Sequence, residues 1–144
     1  MIIYDFIYSF LAAFFFSFLF NAPRRSILLT ATIAGIGYTV FIIFRDGFNN
    51  PLLGYFIGTL IMALLSEIAA RFLKMAATTF ITIAILPLVP GLGLYLTMQY
   101  WVQNNYQATV QTGTQTMLAI GAMAMAIAVN SLLVKFYLRF RHSS

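Results

Sequence analysis

The chain has 144 residues, 62% hydrophobic and only 8% charged, with no cysteine and a net charge of +5. Water does not solvate so much apolar surface on so short a chain, which points to a polytopic membrane protein, all-α. The missing thiols exclude disulfides, thiol catalysis and thiolate metal sites. The basic residues fall at the ends of apolar runs, where they orient helices and meet anionic headgroups, so nucleic acid is not an expected partner.

In chain order, the first expected span covers residues 2–20, with Asp5 its only charge. It lacks the basic n-region and small-x-small site of a secretory signal. Asn21 and Pro23 suit the cap and first turn of a new helix, which opens the second span, 26–44. A link rich in turn formers, from Arg45 to Pro51, leads to the third span, 52–72. The fourth covers 78–102 and the fifth 114–136, joined by a polar, uncharged link at 103–113. Each expected span has 19 to 25 residues, enough for a core of roughly 30 Å at 1.5 Å per residue. The single histidine, His142, is expected to be solvated in the tail.

Five spans place the termini on opposite sides. With the N-terminus outside, the cytoplasmic side collects seven basic residues, Arg24, Arg25, Arg71, Lys74, Lys135, Arg139 and Arg141, against Arg45 outside. The bias predicts N-out, C-in.

The fourth span is the unusual one. Pro87 and Pro90 remove backbone donors, and Gly91 and Gly93 add freedom, near the middle of an apolar run. Freed backbone groups in lipid need partners inside the protein or in a water-lined cavity, and in transporters such breaks build substrate sites. A proline kink that only shapes packing is the plainer alternative. Thr82, Tyr95 and Thr97 flank the break and are the expected contacts of a small polar solute. A helix starting near Gly91 would offer its partial positive charge to a carboxylate.

Small residues four apart, Gly54 and Gly58 in the third span, Ala31 and Gly35 in the second, Ala122 and Ala126 in the fifth, predict close helix packing. They serve a bundle or a subunit contact equally, so a homo-oligomer stays open. Glu67 is the one carboxylate well inside a span, with Arg71 at i+4 and Lys74 at i+7. It is either an interfacial ion pair, worth about 0.3–0.5 kcal/mol, or a proton- or substrate-coupling group. No P-loop, HExxH, CxxC, nucleophile elbow or pair of deep carboxylates occurs, so neither an enzyme, a metal site nor a cofactor is expected.

Several stretches together resemble a known family: Phe20-Asn21-Ala22-Pro23-Arg24, Gly35-Ile36-Gly37, Ser66-Glu67-Ile68-Ala69-Ala70-Arg71, and Leu86-Pro87-Leu88-Val89-Pro90-Gly91 with Tyr95. About the whole chain resembles the small, membrane-only subunit type of the threonine/serine exporter family. The Pro-Leu-Val-Pro-Gly element is the most specific part. One departure is at Lys74-Met75-Ala76, where the family usually places a proline. The resemblance implies a secondary exporter of small hydrophilic metabolites in the bacterial plasma membrane, threonine and serine first, working with a larger partner subunit. Alternatives are a dicarboxylate (succinate) exporter subunit, a non-transporting assembly or stabilising subunit, and a self-assembling channel.

Overall fold

The computed structural model describes residues 2–142, with side chains described for all of these except 137, 138 and 140–142. Arg141 and His142 therefore lie outside the described side chains. The described chain is all-helical: α1 (Ile2–Leu19), α2 (Arg24–Gly47), α3 (Pro51–Leu73), α4 (Ala77–Ala84), a 3₁₀ turn (Leu86–Leu88), α5 (Gly91–Val102) and α6 (Tyr106–His142). Four helices (α1, α2, α3 and α6) are long and apolar enough to cross a membrane, and α4 with the 3₁₀ turn and α5 forms a bent pair that also qualifies.

The connections are short because the helices stop on left-handed residues. Asn21, Asn49, Lys74 and Asn104 have φ of 53°, 50°, 53° and 58°. Asparagine tolerates that conformation because its short polar side chain bonds locally. Behind three of them a backbone bond closes the helix end: Ala22 N–H to the Ser17 carbonyl (2.8 Å), Met75 to Ala70 (2.9 Å) and Asn105 to Tyr100 (3.0 Å). At Lys74 this geometry, followed by extended Ala76 (ψ 135°), restarts the chain into α4 without a proline. At the other end, the Asn50 carboxamide oxygen accepts from the Leu52 and Leu53 amides, and Pro51 fills the first turn of α3.

α2 and α3 pack closest, antiparallel, at the expected small residues. A Cβ on Gly54 would stand 2.9 Å from the Phe41 carbonyl oxygen, and one on Gly58 would stand 3.0 Å from the Gly37 carbonyl oxygen. Gly35 makes room for the Phe6 ring of α1. On α6, Ala126 is fully buried and Ala122 half-buried. The core joins Ala31, Ala34, Met62, Ala70, Phe80 and Met123 across α2, α3, α4 and α6.

α3 and α6 run parallel: Tyr55 shares a cleft with Thr112 and Thr116, and Glu67 a crevice with Leu133 and Val134. α5 and α6 run antiparallel, since Gly93 abuts Thr116 and Gly113 abuts Thr97. α5 thus runs opposite to α3, and it meets α4 and the 3₁₀ turn at a 51° bend. One end of the bundle carries Arg24, Arg25, Arg71, Lys74 and Lys135, and the other Asp5, Arg45 and Asp46.

α6 begins at Tyr106, eight residues before the expected fifth span. Only 103–105 form a turn; Asn105 caps the new helix by accepting from the Ala108 amide at 3.2 Å. Uncharged glutamine and threonine then continue it, because Gly113 is needed for contact with Thr97 rather than for a turn.

Candidate functional site

The break is built in three steps. α4 ends at Ala84, and the Ile85 amide still donates to the Ile81 carbonyl at 3.0 Å. Pro87 occupies the start of the 3₁₀ turn, where its missing donor costs nothing. Val89 is extended (ψ 129°), and Pro90 precedes α5 with no side chain capping the helix. The Gly91 amide turns back to the Val89 carbonyl at 2.7 Å. The next two amides, of Leu92 and Gly93, belong to the first turn of α5 and have no intrahelical acceptor.

That uncapped helix start opens into a cleft of about 540 Å³. Asn50, Pro51, Leu52 and Tyr55 line it from α3 and its cap, Pro90, Leu92, Gly93 and Leu96 from the break and α5, and Thr112, Gln115, Thr116, Leu118 and Ala119 from α6. The volume lies within the range of small-molecule pockets, and the lining is mostly apolar with a few convergent polar groups, as such pockets are. Tyr55 is held by its ring against Phe41, 4.6 Å between centroids. The Thr116 hydroxyl donates to the Thr112 carbonyl at 2.8 Å. No ionisable acid or base other than the Tyr55 phenol lines the cleft.

The expected site residues divide around this cleft. Pro90 and Gly93 line it, and Gly93 lets α5 lie directly on Thr116. Pro87 and Gly91 shape the approach; a Cβ at Gly91 would meet open space. Thr97 faces Gly113, and its hydroxyl donates to the Gly93 carbonyl at 2.7 Å. Tyr95 is 65% exposed on the outer side of α5 and is not part of the lining. Thr82 is exposed in a separate crevice of about 300 Å³ at the basic end, with Thr78, Thr79, Asn21 and Pro23. Thr82, Tyr95 and Thr97 therefore do not converge on one point.

Glu67 lies in a third crevice, between α3 and α6, with its carboxylate 4.0 Å from the Arg71 guanidinium. Among the described residues no three His, Cys, Asp or Glu side chains gather into a set that could hold a metal ion. Sequence reasoning missed Asn50, Tyr55, Thr112, Gln115 and Thr116. The available signal was Thr112, Gln115 and Thr116 at i, i+3 and i+4, a polar face on a helix that was expected to begin later.

The family described as Threonine/Serine exporter, ThrE matches residues 5–133 of the chain. Neither a curated protein nor a solved structure matches it. The match covers most of the chain, including the break and the cleft, so the chain belongs to the threonine/serine exporter family, a family of transporters, and is an exporter-type multi-pass membrane protein.

Proposed function

We propose that this member of the threonine/serine exporter family is the membrane subunit of a two-component secondary exporter in the bacterial plasma membrane, with threonine and serine as its solutes. The observation that carries the proposal is the uncapped start of α5 opening into the cleft. A helix N-terminus holds a partial positive charge and outward-facing amides, which suit a carboxylate. The Leu92 and Gly93 amides take that carboxylate, and the Tyr55 hydroxyl and the Gln115 carboxamide take the amino and hydroxyl groups. The neutral lining favours a zwitterion over a dicarboxylate, whose second negative charge would find no cation there.

The cleft is open on one side, because α5 packs chiefly against α6. The larger partner subunit closes that side, and rocking of the two against each other alternates access. The charge asymmetry between the two ends of the bundle supports N-out, C-in, with Glu67 and the 300 Å³ crevice near the cytoplasm.

The test is efflux of labelled threonine, serine and succinate from cells producing the chain with and without its larger partner. Threonine and serine efflux is expected only when both are present. Succinate efflux alone would replace the substrate, and efflux by this chain alone would remove the partner.

A further inference from the structure

Helical hydroxyls in this bundle mostly satisfy themselves. Ser17, Thr30, Thr39, Thr97 and Thr116 each donate to the carbonyl four residues back, at 2.7–2.8 Å. The hydroxyls of Thr78, Thr79 and Thr82 depart from this and make no hydrogen bond among the described residues. Thr78 and Thr79 lie in the first turn of α4, so the carbonyls four back precede the helix. Thr82 has the Thr78 carbonyl at that spacing and leaves it unused. All three line the crevice of about 300 Å³ at the basic end, together with Asn21 and Pro23 of the turn between α1 and α2. Asn21, Thr78 and Thr82 are exposed, so a group from outside the chain reaches them. No carboxylate lines the crevice.

Arg24 and Arg25 follow Pro23 directly, and Lys74 precedes Thr78 by four residues. These three cations are exposed and have no ion pair among the described residues. Free hydroxyls inside a crevice and unpaired cations beside it suit an oxyanion. The flank is apolar: Phe20 lines the same crevice and is 53% exposed, and Leu19 next to it is 75% exposed. A soluble anion leaves that flank in water, whereas an acyl chain covers it. We infer that this crevice seats the phosphate of one anionic phospholipid. Thr78, Thr79, Thr82 and the Asn21 carboxamide donate to the phosphate oxygens, Arg24, Arg25 and Lys74 supply the positive charge, and an acyl chain lies along Leu19 and Phe20. The lipid then bridges the α1–α2 turn and the start of α4, pinning that half of the broken span at the membrane surface. The site requires only that the basic end meet a membrane surface and does not rest on the exporter proposal.

The test is native mass spectrometry of the full chain in detergent, titrated with dioleoyl phosphatidylglycerol, dioleoyl phosphatidylcholine or glycerol 3-phosphate. The parent is expected to retain one phosphatidylglycerol in preference to phosphatidylcholine. Thr78→Val with Thr82→Val keeps the shape and every cation but removes two donors. Its affinity for phosphatidylglycerol is expected to fall at least about tenfold, as the loss of hydrogen bonds to a charged acceptor implies. Equal affinity in parent and double variant would overturn the site and leave only diffuse attraction to the basic residues. Glycerol 3-phosphate bound as tightly as the lipid would overturn the lipid as its occupant. Should the double variant fail to accumulate, Thr82→Val is compared with Thr82→Ser. Weakened binding in the first and parent-like binding in the second supports the site, and equal binding in both overturns it. Lipid capture by a chain that exports nothing would keep the site and sink the exporter proposal, and an active exporter without lipid preference would do the reverse.

Discussion

α4 and α5 come from one apolar stretch, yet they are held in opposite ways. α4 buries Phe80, Ile83 and Ala84 among α1, α2 and α3. α5 has no buried residue and exposes Leu92, Leu94, Met98, Trp101 and Val102. Both halves are strongly apolar, so composition does not separate them; the number of neighbours does. The break at Pro87 and Pro90 joins a fixed half-helix to one supported along a single side. A half-helix held that way changes tilt at small cost, which suits an element that opens and closes a cleft.

The largest expected effect comes from erasing the difference. Pro87→Ala with Pro90→Ala restores two donors and favours one continuous helix, drawing the α5 amides out of the cleft. Efflux is expected to fall by about tenfold or more, since misplacement of about 1 Å can cost that much. Full efflux would reduce the break to a packing kink.

On the fixed side, Gly58→Ala sets a methyl 3.0 Å from the Gly37 carbonyl oxygen and the Phe41 Cβ. Backbone has to shift, so a loss of about 1–3 kcal/mol is expected in thermal melts of the purified chain. On the α5 side, Gly93→Ala meets the Thr116 hydroxyl, while Gly91→Ala meets open space. Gly91→Ala is expected within about 0.5 kcal/mol of the parent. Gly93→Ala should lower efflux more than it lowers the melting temperature, because α5 yields where α3 does not. Equal melting losses for Gly58→Ala and Gly93→Ala would break the comparison.

The smallest effect is expected at Glu67. Its pair with Arg71 is long, at 4.0 Å, and partly exposed, so Glu67→Gln should cost no more than about 0.5 kcal/mol. Efflux should keep its pH dependence; a flattened profile would assign Glu67 to coupling.

Much of the architecture was legible because lipid imposes strict local rules. Apolar length marked the spans, and Pro87, Pro90 and Gly91 marked the break. Asn21 was expected to cap α2 with Pro23 in its first turn; instead Asn21 closes α1 in the left-handed conformation, and Pro23 holds the cap position of α2 with no side-chain cap. Gly54 and Gly58 announced a close helix contact without naming its partner, which is α2, where backbone does approach backbone. The candidate site was only half legible. Pro90 and Gly93 line the cleft, but its polar groups come from α3 and the early turns of α6, far away in sequence. Thr82 and Tyr95 flank the same break at similar spacing, yet the half-helices carry them to different surfaces. Direction in space, which no local pattern encodes, decided between them. The uncharged stretch 103–113 was misleading for another reason: glutamine and threonine serve a link or a helix start alike, and the Asn105 cap with the α5 contact selects the helix.

The most direct test of the account is efflux of preloaded labelled threonine from cells producing the chain with the proposed larger partner, parent against Tyr55→Phe and Gln115→Leu. The account predicts partner-dependent efflux by the parent and a marked loss in both cleft variants, with melting temperatures unchanged. Efflux that is indifferent to both substitutions would contradict it, and so would a parent that moves no threonine or serine.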